Sequence, residues 1–196
     1  MEFCIDYDGI ILYQNKTNNV FRAEVTERLI FVMDESTFIE NMPPNHDEED
    51  TRSVLVSDKY NLTIKGCVIR IKRKNDLYVF LSREYEDMNM YHRKHFIYIL
   101  NKGQHNSIIY DSRVSDESVR DIGILSNNTV CILVNDGSRS DRSYIDFWCY
   151  LQCSETYELL NSFAFYSMHL FQWITCTNDR IVIGSRNTTY QHYFDD

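Results

Sequence analysis

The sequence predicts an all-β protein, and three observations carry that prediction. The chain holds 14 Tyr and 11 Phe in 196 residues, with many Val, Ile and Thr and few alanines, a balance that favours strands over helices. Apolar runs recur roughly every 8 to 12 residues with turn residues between them, and no long helical period is present. The third observation is the segment from Val119 to Leu151, in which the run Val130-Cys131-Ile132-Leu133-Val134 lies between Ser126-Asn127-Asn128 and Asn135-Asp136-Gly137. That is how a buried strand between two turns reads. A second strand, Tyr144 to Leu151, follows and carries Trp148. Two strands joined by a polar turn form the inner part of a β-propeller blade, an architecture that serves mainly as a docking surface.

In chain order, Gly9 to Tyr13 and Val20 to Val25 read as a hairpin around the polar Asn15-Lys16-Thr17-Asn18-Asn19 loop, and Arg28 to Met33 adds a third strand. Residues 33–52 read as a disordered acidic loop. Asp34, Glu35, Glu40, Asp47, Glu48, Glu49 and Asp50 fall there without a Lys or Arg from Asp34 to Asp50, and Pro43-Pro44 interrupts them. Strand patterns resume at Ser53 to Ser57, Asn61 to Lys72 and Leu77 to Ser82. Arg83 to Lys94, rich in charge and Met, reads as a short helix or a loop. His95 to Leu100 and Ser107 to Tyr110 precede the Val119 segment. The C-terminal part supplies Ser162 to Phe165, Phe171 to Cys176, Ile181 to Ser185 and Thr189 to Phe194.

An internal echo refines the architecture. Asp121 to Asp136 runs strand, polar turn, strand, and Phe171 to Asn187 repeats that order. This organisation resembles degenerate WD40 units, although the Gly-His and Trp-Asp signatures are absent and Trp148 is followed by Cys149. At about 40 to 45 residues per blade the chain supplies about four blades. The expected fold is therefore a single β-rich domain, 1–196, forming a partial β-propeller that another chain segment completes. A β-sandwich or barrel is the alternative.

Composition limits the chemistry. With 43 % apolar and 14 % aromatic residues the chain can build a core. Its net charge of -9 argues against a nucleic-acid partner, because phosphate contacts need a basic excess. Lys65, Arg70, Lys72, Arg73 and Lys74 cluster, but alternation puts them on the solvent side of a strand whose other face carries Ile69 and Ile71. No signal-peptide pattern opens the sequence and no run approaches the roughly 18 apolar residues of a membrane span, so an intracellular, soluble chain without a membrane partner is expected. The N-x-S/T sequons at Asn15, Asn61, Asn127 and Asn187 then follow from composition alone. In a reducing compartment the six cysteines read as small buried hydrophobes.

No constellation announces a reaction. His92 and His95 have a His-x-x-His spacing without a Cys pair to complete a zinc site, and they read as surface histidines. Cys149 and Cys153 would lie about 13 Å apart in an extended strand, so they share a metal only if the strand turns at Leu151. Cys131, inside an apolar run, reads as inert. No P-loop, dinucleotide fingerprint, G-x-S-x-G or H-E-x-x-H is present. No catalytic residue, metal ligand, cofactor or small-molecule substrate is expected. A small hydrolase or metal protein built on His92, His95 and cysteines remains the competing chemical reading. Among aromatics, Tyr91, Phe147, Trp148, Phe171 and Trp173 are candidate interface anchors, with Trp148 assigned to the core.

The stretch DIGILSNNTVCILVNDGSRSDRSYIDFWCYL, from Asp121 to Leu151, resembles the C-terminal part of the propeller in the subunit 4 family of the anaphase-promoting complex, a cell-cycle ubiquitin ligase. Asp121, Thr129-Val130, Asp136, Arg139 to Arg142 and Ile145 to Leu151 follow that family's order of residue classes. ITCTNDRIVIGSRNTTYQHYFDD resembles its late strand pair. Together these cover about a third of the chain. The resemblance implies a non-catalytic architectural subunit of a large nuclear and cytoplasmic assembly, whose partners are other protein subunits. Asp47, Glu48, Glu49, Asp50, Tyr91 and Trp173 are the candidate partner-binding residues. A stand-alone β-sandwich adaptor or pathogen factor that binds one protein is the alternative function.

Overall fold

The computed structural model of the chain describes residues 4–7, 10–15, 20–25, 28–34, 37–42, 52–56, 61–85, 93–101, 104–111, 117–138, 141–167, 170–177, 180–185 and 189–193. All regular structure among them is β. Strands β1 (Cys4–Tyr7), β2 (Ile10–Asn15), β3 (Val20–Val25), β4 (Arg28–Asp34), β5 (Thr37–Met42), β6 (Arg52–Val56) and β7 (Asn61–Lys65) form a seven-stranded sheet. β8 (Cys67–Lys74), β9 (Leu77–Tyr85), β10 (Arg93–Asn101) and β11 (Gln104–Asp111) form a four-stranded sheet. β12 (Glu117–Ile124), β13 (Val130–Asp136), β14 (Arg142–Leu151) and β15 (Thr156–Tyr166) form another, and β16 (Trp173–Cys176), β17 (Arg180–Gly184) and β18 (Thr189–Tyr193) a three-stranded one. Every sheet is a meander in chain order, the arrangement short loops allow between antiparallel neighbours. No helix among the described residues is long and apolar enough to cross a membrane.

The expected acidic loop 33–52 is corrected in part. β4 runs to Asp34, and β5 lies within that interval, paired on one side with β4 and on the other with β6. Thr37-Phe38-Ile39 supplies the β-branched and aromatic residues a strand needs, which outweighs the acidic composition around them. Asp47, Glu48, Glu49 and Asp50 lie outside the described residues. The helix-or-loop expectation for Arg83 to Lys94 also gives way at both ends, where β9 extends to Tyr85 and β10 begins at Arg93.

The chain groups into two compact units, 1–85 with 96–107, and 86–95 with 108–196. In the first, one core cluster joins Leu55 of β6 and Ile64 of β7 to Val68, Ile71, Phe80, Phe96, Tyr98 and Leu100 of β8 to β10. The sequence reading of Asn61 to Lys72 as one strand is corrected here. The chain turns a corner at Gly66, leaving the seven-stranded sheet as β7 and entering the next as β8. Gly66 has φ +74, and a Cβ there would lie 2.5 Å from the Arg83 carbonyl oxygen, so only glycine fits.

A corner takes backbone groups out of both ladders, and side chains replace the lost partners. Ser53 Oγ donates to the Gly66 carbonyl (2.8 Å) and accepts from the Val68 N–H (3.1 Å). Ser82 Oγ donates to the Lys65 carbonyl (2.6 Å), and the Lys65 N–H donates to Tyr98 Oη (3.0 Å). Ser53 and Ser82 are fully buried. Past the corner, a register shift between Val68 and Arg70 resets the alternation. Val68 and Ile71 are therefore the buried residues of β8, and Ile69 is only half-buried, which corrects the Ile69/Ile71 face read from the sequence. Arg70 is exposed as expected, and the Arg73 guanidinium lies 5.0 Å from the Tyr78 ring centroid.

In the second unit β13 is buried on both faces: Val130 to Val134 are all fully buried, as the unbroken apolar run predicted. The turn before it carries Asn128 at φ 63, with the Leu125 N–H donating to the Thr129 carbonyl (2.9 Å) and the Thr129 N–H to Asn127 Oδ1 (3.0 Å). Asn is the residue that tolerates this left-handed position. One face of β12 to β14 packs on the three-stranded sheet through Leu125, Cys131, Leu133, Ile145, Phe147, Phe171, Ile174, Ile181 and Ile183. His95 is also fully buried, a correction of the surface expectation. Its strand is covered from Phe96 to Leu100 on both faces, so alternation leaves no solvent side there.

Replacing Ser53 with Ala should lower the unfolding free energy by about 1–3 kcal/mol, because it strands a buried carbonyl and a buried N–H at the corner. Gly66→Ala should cost at least as much, through the positive φ and the backbone clash. Urea unfolding followed by circular dichroism checks both.

Candidate interaction surface

Two buried polar groups hold the sheets of the second unit in place and define what remains outside. Asp121 Oδ2 accepts the Ile174 N–H at 3.0 Å, across from β12 to β16. Asn135 Nδ2 donates to the Phe171 carbonyl at 3.3 Å, while Ser143 Oγ donates to Asn135 Oδ1 at 2.8 Å. The Phe171 carbonyl and the Ile174 N–H are thus bonded by side chains, beside the backbone bond from the Gln172 N–H to the Gly184 carbonyl (2.7 Å). On the opposite face of β14, Tyr110 Oη donates to Asp146 Oδ2 (2.7 Å) and accepts from Trp148 Nε1 (3.2 Å). Burial, reinforced by the Asp146 carboxylate, pushes the Tyr110 phenol far above its ordinary value, and burial with a Glu117 hydrogen bond does the same to Tyr144. These phenols stay neutral and act as hydrogen-bond parts of the architecture.

β15 is different. It pairs with β14 along one edge, and among the described strands nothing pairs with the other. The hairpin turn after Leu151 is tight, with Glu155 at φ 53, Ser154 Oγ donating to Glu158 Oε1 (2.8 Å) and Thr156 Oγ1 to Ser154 Oγ (3.0 Å). Trp148 faces Leu159 and Phe147 faces Asn161, so Leu160 is the extra residue of a bulge. A bulge leaves its extra residue out of the ladder and can re-aim its side chain, and Leu160 is 68 % exposed. Leu159, Phe163 and Tyr166 are exposed as well, the last at 66 %.

The strand is nevertheless anchored from its inner face. Phe163 meets the Phe147 ring edge-on at 5.8 Å between centroids. Phe165 meets Phe171 at 6.4 Å and Tyr190 at 5.1 Å, which brings the exposed Tyr190 of β18 beside the end of β15. The result is an edge packed from its inner face that carries apolar side chains, with Glu158 its only charged residue. Natural edge strands are blunted by Lys, Pro or inward charge; β15 has only its bulge and the Asn161 side chain, whose Oδ1 accepts the Ser162 N–H at 2.8 Å.

The residues singled out from the sequence fare unevenly. Tyr91 and the four acidic residues lie outside the described residues. Trp173 is 37 % exposed, but it does not join β15. It pairs with Gly184, on the face of the three-stranded sheet opposite Ile174 and Ile183, and its indole occupies the space a Cβ at Gly184 would need. Aromatic cover of a strand glycine is a structural role. Phe147 and Phe171 are buried in the core, whereas Trp148 is half-buried. β14 does end at Leu151 before a turn, as sharing between Cys149 and Cys153 required, yet no group of three or more His, Cys, Asp or Glu among the described residues is placed to hold a metal ion.

Leu159, Leu160, Tyr166 and Tyr190 were missed by the sequence reading. The available signal was the pair Leu159-Leu160 next to Phe163 and Phe165, which breaks strict alternation as a bulge does. Leu160→Lys should leave stability within about 0.5 kcal/mol, as surface changes do, while lowering self-association measured by light scattering. In an alkaline titration followed by tyrosinate absorbance, Tyr110 should ionise only as the chain unfolds. A phenol whose folded pKa is raised contributes stability below about pH 10 that is lost as pH rises above the unfolded value, and Tyr110→Phe should reduce that loss. No family model matches this chain, and no curated protein matches it.

Proposed function

We propose that this chain is a non-catalytic protein-interaction module that receives an extended strand of a partner protein on the open edge of β15. The observation that carries the reading is an eleven-residue edge strand bearing Leu159, Leu160, Phe163 and Tyr166 at its surface without a lysine, arginine or proline. Backbone groups along such an edge supply affinity and the alternate side chains supply selectivity. Burying an exposed leucine against a partner contributes about 1.5–3 kcal/mol, so Leu159 and Leu160 are energetic anchors.

The reading extends to a subunit of a larger assembly. In it β12 to β15 and β16 to β18 are successive WD40-like blades of an incomplete propeller, and the assembly is the ubiquitin ligase to which Asp121 to Leu151 points by resemblance. Meander sheets in chain order, the second bonded to the first through Asp121 and Asn135, support this, since blades follow one another in that way. Affinity capture of the full chain from cells, with mass spectrometry, tests both levels. Co-purifying ubiquitin-ligase subunits support the larger assembly, and a different single partner points to a stand-alone adaptor. Leu159→Lys with Leu160→Lys should reduce capture at least tenfold; undiminished capture by this variant would refute the β15 edge as the docking site.

A further inference from the structure

The second unit contains a thiol pair that neither its fold nor its proposed docking edge requires. Cys131 of β13 is fully buried, and Cys176 at the end of β16 is half-buried, both against the same apolar cluster. Cys131 is the cross-strand partner of Gly123. Cys176 Sγ lies 2.5 Å from where a Cβ of residue 123 would stand, so the glycine opens the notch through which Cys176 reaches across β12. Cross-strand partners share a sheet face, so both sulfurs lie on the face to which a side chain at residue 123 would point. Both are reduced.

From this geometry we infer that Cys131 and Cys176 form an oxidation site, closing to a disulfide that staples the β12–β15 sheet to the β16–β18 sheet when a small peroxide reaches Cys176. Cys176 is the more accessible sulfur and reacts first. Its thiol takes oxygen from hydrogen peroxide, the O–O bond breaks, and sulfenic acid and one water result. Cys131 Sγ then attacks Cys176 Sγ, the S–O bond breaks, and the departing hydroxyl takes the Cys131 proton as a second water. Two thiols lose two electrons and two protons, and one peroxide becomes two waters. The hydrogen bond with Cys176 and burial hold the Cys131 thiol well above its ordinary value, so Cys131 is a poor first target and the closing step is the slower one. Cys149, whose Sγ lies 2.9 Å from Thr129 Oγ1, is the internal control.

The test treats the full chain, and its Cys153→Ser form to exclude bridges through the exposed thiol, with equimolar hydrogen peroxide. Free thiols are then blocked and peptides mapped without reduction. The expected product is a Cys131–Cys176 linked peptide, reversed by dithiothreitol, with Cys149 still alkylated. A closed loop of about 45 residues should raise the melting temperature by roughly 5–10 °C. Cys176→Ser should abolish link and shift together, and Cys149→Ser should abolish neither. Mapping of the unsubstituted chain does not depend on how any variant folds. Recovery of Cys131 and Cys176 fully alkylated after peroxide, or linkage of either to Cys149, would overturn the assignment.

Discussion

A backbone N–H or carbonyl buried without a partner costs about 1–3 kcal/mol, and an all-β chain meets that cost wherever it leaves a ladder. At two buried places among the described residues the structure answers it with side chains. At the Gly66 corner, Ser53, Ser82 and Tyr98 supply the partners that neither sheet can. Where the chain enters β16, Asp121 and Asn135 do the same for Ile174 and Phe171. Ser53, Ser82, Asp121 and Asn135 are all buried, and each bonds a backbone group of a neighbouring strand or connection. The apolar clusters depend on them, because the facing sheets pack only once the connecting backbone is satisfied.

The edge at β15 is treated differently. On β15 the apolar side chains stand in solvent, and the inner-face aromatics hold the strand firm. Exposure of this kind carries a cost in solubility and aggregation, which a bulge and one asparagine only partly offset. The proposed function rests on this exposed apolar edge.

Much of the strand content was legible in the sequence because burial on two faces leaves an unbroken apolar run, as at Val130 to Val134, and because Asn127-Asn128 has a turn chemistry of its own. The errors share a cause. Asn61 to Lys72 reads as one strand because a lone glycine is silent about whether the chain bends, and the bend depends on Ser53, Ser82 and Tyr98, which are distant in sequence. β5 was hidden by acidic neighbours although its own six residues have strand character. Ile69 and Leu160 were misread or overlooked because a bulge inserts one residue and flips the alternation behind it. Trp173 looked like an anchor because nothing local reveals that Gly184 lies beneath it.

By itself the sequence determined that the protein is built of β-strands and that the run Val130 to Val134 lies in the core, because those properties depend on side-chain volume, branching and turn chemistry within a few residues. Which glycine becomes a corner, which cysteines share one apolar cluster, and which described edge is left open were decided only by the tertiary structure. Each depends on the approach of segments far apart in the chain: Gly66 under Arg83, Cys176 over Gly123, and β15 with a neighbour on one side alone among the described strands.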